Sequence, residues 1–94
     1  MIKVVDFNPD GESVSDFKIK EYVDYIFHSD EKIFNVSTHL IIDEIRARIN
    51  EGRININEII LTIEGHEFPV DKNGRSHVWY PSQEISTNIL LRLV

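Results

Sequence analysis

The sequence predicts a small α+β domain, and three observations carry that prediction. The chain has 94 residues, and chains below roughly 200 residues seldom divide into two packed cores. Between Thr38 and Glu51 the isoleucines recur with helical spacing, whereas from Ile59 onward apolar and polar residues alternate as in a half-buried strand. Hydrophobic residues at 41% and charged residues at 28% are ordinary globular composition, which excludes a disordered or low-complexity chain. Residues 1–94 are read as one domain, an antiparallel β-meander packed against one or two helices.

Ile2 to Phe7 is rich in β-branched and aromatic residues and reads as a strand. Asn8-Pro9-Asp10-Gly11 follows, with proline presetting φ and glycine accepting positive φ, so a chain reversal is expected there. Phe17 to His28 admits two readings. As a helix it gathers Ile19, Tyr22, Val23, Ile26 and Phe27 on one face, with Ser13 or Ser15 as cap. As a strand it aligns Phe17, Ile19, Val23, Tyr25 and Phe27, with Glu21 out of place. Propensity favours the strand, but twelve residues is long for one, and length decides for the helix. Ile33 to Val36 is a short strand candidate.

The helix from Thr38 to Glu51 buries Ile41, Ile42, Ile45 and Ile49. Ser37 or Thr38 caps its start, and Gly52 stands where a left-handed C-terminal residue belongs. Glu44 and Arg48 are four apart in the favourable order, as a surface pair, while Leu40 and Ala47 project away from the stripe. The meander is expected over residues 58–80. Gly65-His66 would form its first turn, of type II′, and Asn73-Gly74 a second two-residue turn pairing Lys72 with Arg75. That register puts Ile59, Leu61, Ile63, Phe68, Val70 and Trp79 on one face. Pro69 cannot donate to a ladder, so its strand lies at an edge or is bulged. Ile85 to Val94 reads as a helix capped at Ser82 or Ser86, with a closing strand as the alternative.

Composition narrows the chemistry. The chain has no cysteine, so disulfides, thiolate catalysis and Cys-ligated metals are out. No apolar stretch of signal-peptide or membrane-span length is visible, and a cytoplasmic location is expected. Sixteen acids against ten bases give a net charge of −6, which favours a basic partner over nucleic acid or an anionic membrane. The glycines Gly11, Gly52, Gly65 and Gly74 are isolated turn residues, so no phosphate cradle exists, and no serine lies in a nucleophile elbow. Arg46 and Arg48 point to different sides of their helix among Asp43, Glu44 and Glu51, which argues against a nucleic-acid patch.

Two histidine arrangements bear on chemistry. His39 and Asp43 share a helix face as a metal pair would, but no further ligand has supporting spacing, so no metal or cofactor is expected. His66 and His77 fall on neighbouring strands near Glu67 and Asp71, the minimum for acid–base work, yet turns supply such pairs without function.

Residues 33–81 resemble, in outline, the C-terminal part of ABC/SMC-type ATPases of phage-defence systems. The resemblance runs through Ser37-Thr38-His39, Ile45-Arg46-Ala47-Arg48-Ile49, Glu51-Gly52, Asp71-Lys72-Asn73-Gly74 and Trp79-Tyr80-Pro81. It covers about half of the chain, the histidine order differs, and the nucleotide-binding motifs are missing. What it implies is a place in a defence-related assembly rather than an ATPase activity.

Elimination leaves protein binding without catalysis. The expected function is an inhibitor or immunity-type protein that masks a basic surface of a partner, such as a nuclease or another nucleic-acid-handling protein. The candidate contact residues are Asp30, Glu31, Asp43, Glu44, Glu64 and Glu67, with Tyr80 as the aromatic anchor. The alternatives are an accessory subunit of a larger assembly and a small His/carboxylate enzyme or metal binder. A homodimer through an exposed strand edge is also compatible.

Overall fold

The structure, a computed structural model, describes residues 2–76. Strand β1 (Lys3–Glu12) leads through a 3-10 turn (Asp16–Lys18) into helix α1 (Ile19–His28). Strand β2 (Ile33–Val36), helix α2 (His39–Asn50), a second 3-10 turn (Ile56–Glu58), strand β3 (Ile59–Ile63) and the two-residue strand β4 (His66–Glu67) follow. The sheet order is β2-β1-β3-β4. The α+β class holds, with both helices on one face of a four-stranded sheet.

The sheet corrects the expected antiparallel meander. β1 runs parallel to both neighbours, with Val5 opposite Phe34 on one side and Leu61 on the other. Only β3 and β4 are antiparallel, through Ile63–His66 and Thr62–Glu67. β3 therefore reaches its place by a crossover through α2 rather than by a hairpin. One inward row, Phe34–Val5–Leu61, packs against Ile19, Val23 and Ile26 of α1 and Ile41, Ile42, Ile45 and Ile49 of α2 in a single core. Phe68 joins it, placed by its N–H bond to Leu61 O.

Asn8-Pro9-Asp10-Gly11 does not reverse the chain. Phe7 and Glu12 both face Val36, so these four residues form an excursion within a strand that keeps its direction. Val4 N–H donates to Lys32 O, while Ser37 N–H donates to Glu12 O. Alternate residues of a strand offer their backbone groups to opposite edges, so the two bonds lie on opposite edges of β2. The chain thus steps across the end of β2, and Glu12 occupies the end of its far edge. Gly11 does not take positive φ; it is needed because a Cβ there would lie 2.6 Å from Val36 N and O.

The segment after it is helical, as length indicated, and Ile19, Val23 and Ile26 are its buried face. Tyr22 and Phe27 are half-buried against the core. Ser15 precedes the 3-10 turn without a side-chain cap bond, and Lys18 precedes α1 in the same way, so the expected serine cap is not made. α2 matches its prediction closely. Thr38 Oγ1 accepts from Leu40 N–H, and Gly52 has φ 75° beyond the last turn. Leu40 departs from it by packing, half-buried, against the core.

The pair Glu44–Arg48 is not a surface pair. Arg48 is 6% exposed, and its guanidinium joins the two helices. It donates to Glu44 Oε2 at 2.8 Å, to Asp24 Oδ1 at 2.6 Å and to Lys20 O at 3.1 Å. Burial opposes its charge, but the carboxylates of Glu44 and Asp24 outweigh that and raise its pKa. Lys3, the other buried base, donates from Nζ to Ser29 O and Glu31 O, just beyond the C-terminus of α1.

Both glycine turns differ from their prediction, the first in type and position and the second in length. The β3–β4 turn is centred on Glu64-Gly65, one residue earlier, with φ of 49° and 81° as type I′ requires. The turn around Asn73-Gly74 is closed by Asp71 N–H to Arg75 O, with only Gly74 at positive φ. It is a three-residue loop rather than a two-residue one. Asp71 Oδ1 accepts from Asn73 and Arg75 N–H, and Gly74 O accepts from Arg46 Nε at 2.8 Å, which seats the loop on α2. The expectations for His77, Trp79, Tyr80, Pro81 and 85–94 lie outside the described residues.

Candidate interaction surface

Strand periodicity sends alternate residues to opposite faces. With Val5, Phe34 and Leu61 facing the helices, the next row, Ile33–Val4–Ile60, faces away. Ile33 is 65% exposed and Ile60 39% exposed, and Ile2, on the same side of β1, is 53% exposed. Three of the five large exposed hydrophobics among the described residues therefore gather on the face that neither helix covers. Parallel strands are ordinarily covered on both faces, which makes the exposed isoleucines of this face a candidate contact surface.

One step along the strands the face becomes polar, in the row Asn35–Asp6–Thr62–Glu67. Asp6 is held by Thr62 Oγ1 and Gly65 N–H on Oδ1 and by Asn8 Nδ2 on Oδ2, and Asn8 also donates to Asn35 Oδ1 at 3.3 Å. Partial burial disfavours the Asp6 carboxylate, yet the bonds from Thr62, Gly65 and Asn8 prevail and lower its pKa. Asp6 is thus a fixed negative charge. Glu64 stands at the adjoining turn, its N–H bonded to Phe7 O. No lysine or arginine stands between Val4 and Phe17, within β2, or between Ile54 and Asp71. Among the described residues, the strand rows of this face and the Glu64-Gly65 turn therefore carry acids without lysine or arginine.

The predicted acids do not share one surface. Glu64 and Glu67 belong to this face or its rim. Asp30 and Glu31 are exposed beyond α1, at the opposite end of the strands. Asp43 and Glu44 lie on the helical side, where the first pairs with His39 at 3.0 Å and Arg46 at 3.3 Å, and the second with Arg48. Sequence reasoning missed Asp6, Ile33 and Ile60 as surface partners, because their grouping depends on strand order. The signal it offered was the alternation of Ile60 with Leu61 and Ile59.

A second surface lies between the helices. A groove of about 530 Å³ is lined by Phe17, Ile19 and Leu40 together with Asp16, Lys20, Asp43 and Glu44. Phe17 is 95% exposed. Since Asp43 and Glu44 are paired with arginines, this groove presents less uncompensated charge than the open face. His39 stacks on Phe7 at 6.3 Å, and its Nδ1 bonds Asp43 Oδ2 at 3.0 Å between two partly exposed side chains. Among the described residues no group of three or more His, Cys, Asp or Glu could hold a metal ion. No described helix is long and apolar enough to cross a membrane.

No protein-family model matches the chain, and neither a curated protein nor a solved structure matches it. The functional reading therefore rests on this chain's own residues.

Proposed function

We propose that this protein is a non-enzymatic interaction module that masks a basic, partly apolar surface of a partner protein, in the manner of an inhibitor or immunity protein. One observation carries the reading: the sheet face that neither α1 nor α2 covers combines exposed Ile2, Ile33 and Ile60 with Asp6 and Glu67, and its described strand rows hold no lysine or arginine. Apolar contact supplies affinity, while one-signed charge speeds encounter and rejects acidic competitors. The net charge of −6 acts in the same sense at longer range.

The test is a tagged pull-down from the native host at low and high salt. A stoichiometric basic partner that is lost at high salt supports the masking role. A salt-resistant set of subunits instead makes the protein a structural component of a larger assembly.

A further inference from the structure

Resting on the proposed interaction role, we infer that the occupant of the open sheet face is a basic amphipathic helix of the partner, lying along β1. The dimensions match. Strands are about 4.8 Å apart, so the row Ile33–Val4–Ile60 is about 10 Å wide, the diameter of one helix. A helix centred over β1 touches Ile33 on one side and Ile60 on the other. Along the strand, Val4 and Asp6 are two residues or about 6.6 Å apart, close to the 5.4 Å of a helical turn. One turn of apolar side chains then covers Ile2, Val4, Ile33 and Ile60, and the next turn brings lysine or arginine to Asp6 and Glu67.

Such a helix adds a layer on the face that neither α1 nor α2 covers, giving the three-layer arrangement usual for parallel strands. Charge selects the occupant. The chain's own residues 77–94 contain one arginine, Arg92, against Glu84, and so offer the acidic row no net charge. A second copy of the chain would set the same acids against one another.

The test uses the full chain, isotope-labelled for amide NMR. Two synthetic peptides of about 18 residues are compared, one with leucine at helical i, i+3, i+4, i+7 spacing and lysine elsewhere, the other with glutamate in place of lysine. The expected result is that the lysine peptide shifts the amides of Val4, Asp6, Ile33 and Ile60, and binds at least tenfold more tightly than the glutamate peptide. Glu67→Lys weakens it severalfold, and the double variant Ile33→Ser/Ile60→Ser weakens it at least tenfold. Shifts centred on Phe17 and Leu40, equal binding of the two peptides, or no binding overturns the inference. So does a wild-type protein whose open face is already covered by a second copy or by residues 77–94. If the inference fails while a salt-sensitive partner is still captured, the masking role stands and only its surface is reassigned. If no partner is captured while the peptide binds as described, the opposite holds.

Discussion

Gly11 passes directly over the backbone of Val36: a Cβ on Gly11 would lie 2.6 Å from both Val36 N and Val36 O. This contact lets β1 cross the end of β2, so the strand pairs with Val36 at Phe7 and again at Glu12. Gly11→Ala must push the two strands apart, and an expected loss of about 3 kcal/mol lies at the upper end of overpacking costs. Gly52→Ala meets no atom within 4 Å and costs only the left-handed backbone, about 1 kcal/mol. Urea titrations of the two variants measure the difference.

Arg48 links α1 to α2 through Asp24, Glu44 and the Lys20 carbonyl. Arg48→Ala leaves Glu44, 17% exposed, without its cation. Because Asp24 is 56% exposed, the expected loss is about 2 kcal/mol, below the roughly 3–5 kcal/mol of a fully buried pair. Thermal unfolding of Arg48→Ala and Asp24→Asn is expected to rank the arginine variant as the less stable.

Acid stability follows from Asp6 and Asp24, whose folded-state pKa values are both lowered. Burial works against the Asp6 carboxylate, and the bonds from Thr62, Gly65 and Asn8 overcome it; Asp24 is held chiefly by its bond from Arg48. A lowered folded pKa contributes stability above the ordinary carboxylate value of 3.8, and that contribution is lost as pH falls through the folded value. The melting temperature is expected to stay level in these contributions above about pH 5 and to fall below about pH 4. Asp6→Asn lowers the plateau and makes the fall shallower, which a pH series of melting curves measures.

Glu64 holds φ of 49° in the type I′ turn before Gly65. Asparagine tolerates that region better than glutamate, and Asn-Gly is the preferred pair for this turn. Glu64→Asn is expected to stabilise the fold by about 0.5–1 kcal/mol in denaturant titrations, while removing one acid from the rim of the open face.

Much of α2 and β2 was legible because their cues are local: the Ile41–Ile42–Ile45–Ile49 stripe, the Thr38 cap and the Gly52 terminus. Asn8-Pro9-Asp10-Gly11 misled because good turn chemistry was overridden by tertiary contact. Gly11 serves close approach rather than positive φ. The alternation of Ile59, Leu61 and Ile63 told which face of β3 is buried but not its direction. Parallel strands usually read as continuous apolar runs, and here neither described helix covers the second face, so β3 carried an antiparallel pattern. The candidate surface was half legible. Glu64 and Glu67 could be named from the turn, whereas Ile33 and Ile60 become neighbours only through the order β2-β1-β3. Arg48 was read as a surface residue because its link to Asp24 spans two helices whose contact no local spacing announces.

The most direct measurement repeats the salt-resolved pull-down with three tagged forms: wild type, Ile33→Ser/Ile60→Ser on the open face, and Phe17→Ser on the helical side. Exposed substitutions of this kind are expected to change stability by less than about 0.5 kcal/mol each, so differences report binding. Capture of the same basic partner by wild type and Phe17→Ser, and its loss from the open-face variant, is the outcome this account predicts. Retention by the open-face variant with loss from Phe17→Ser would contradict it and move the interaction to the groove between α1 and α2.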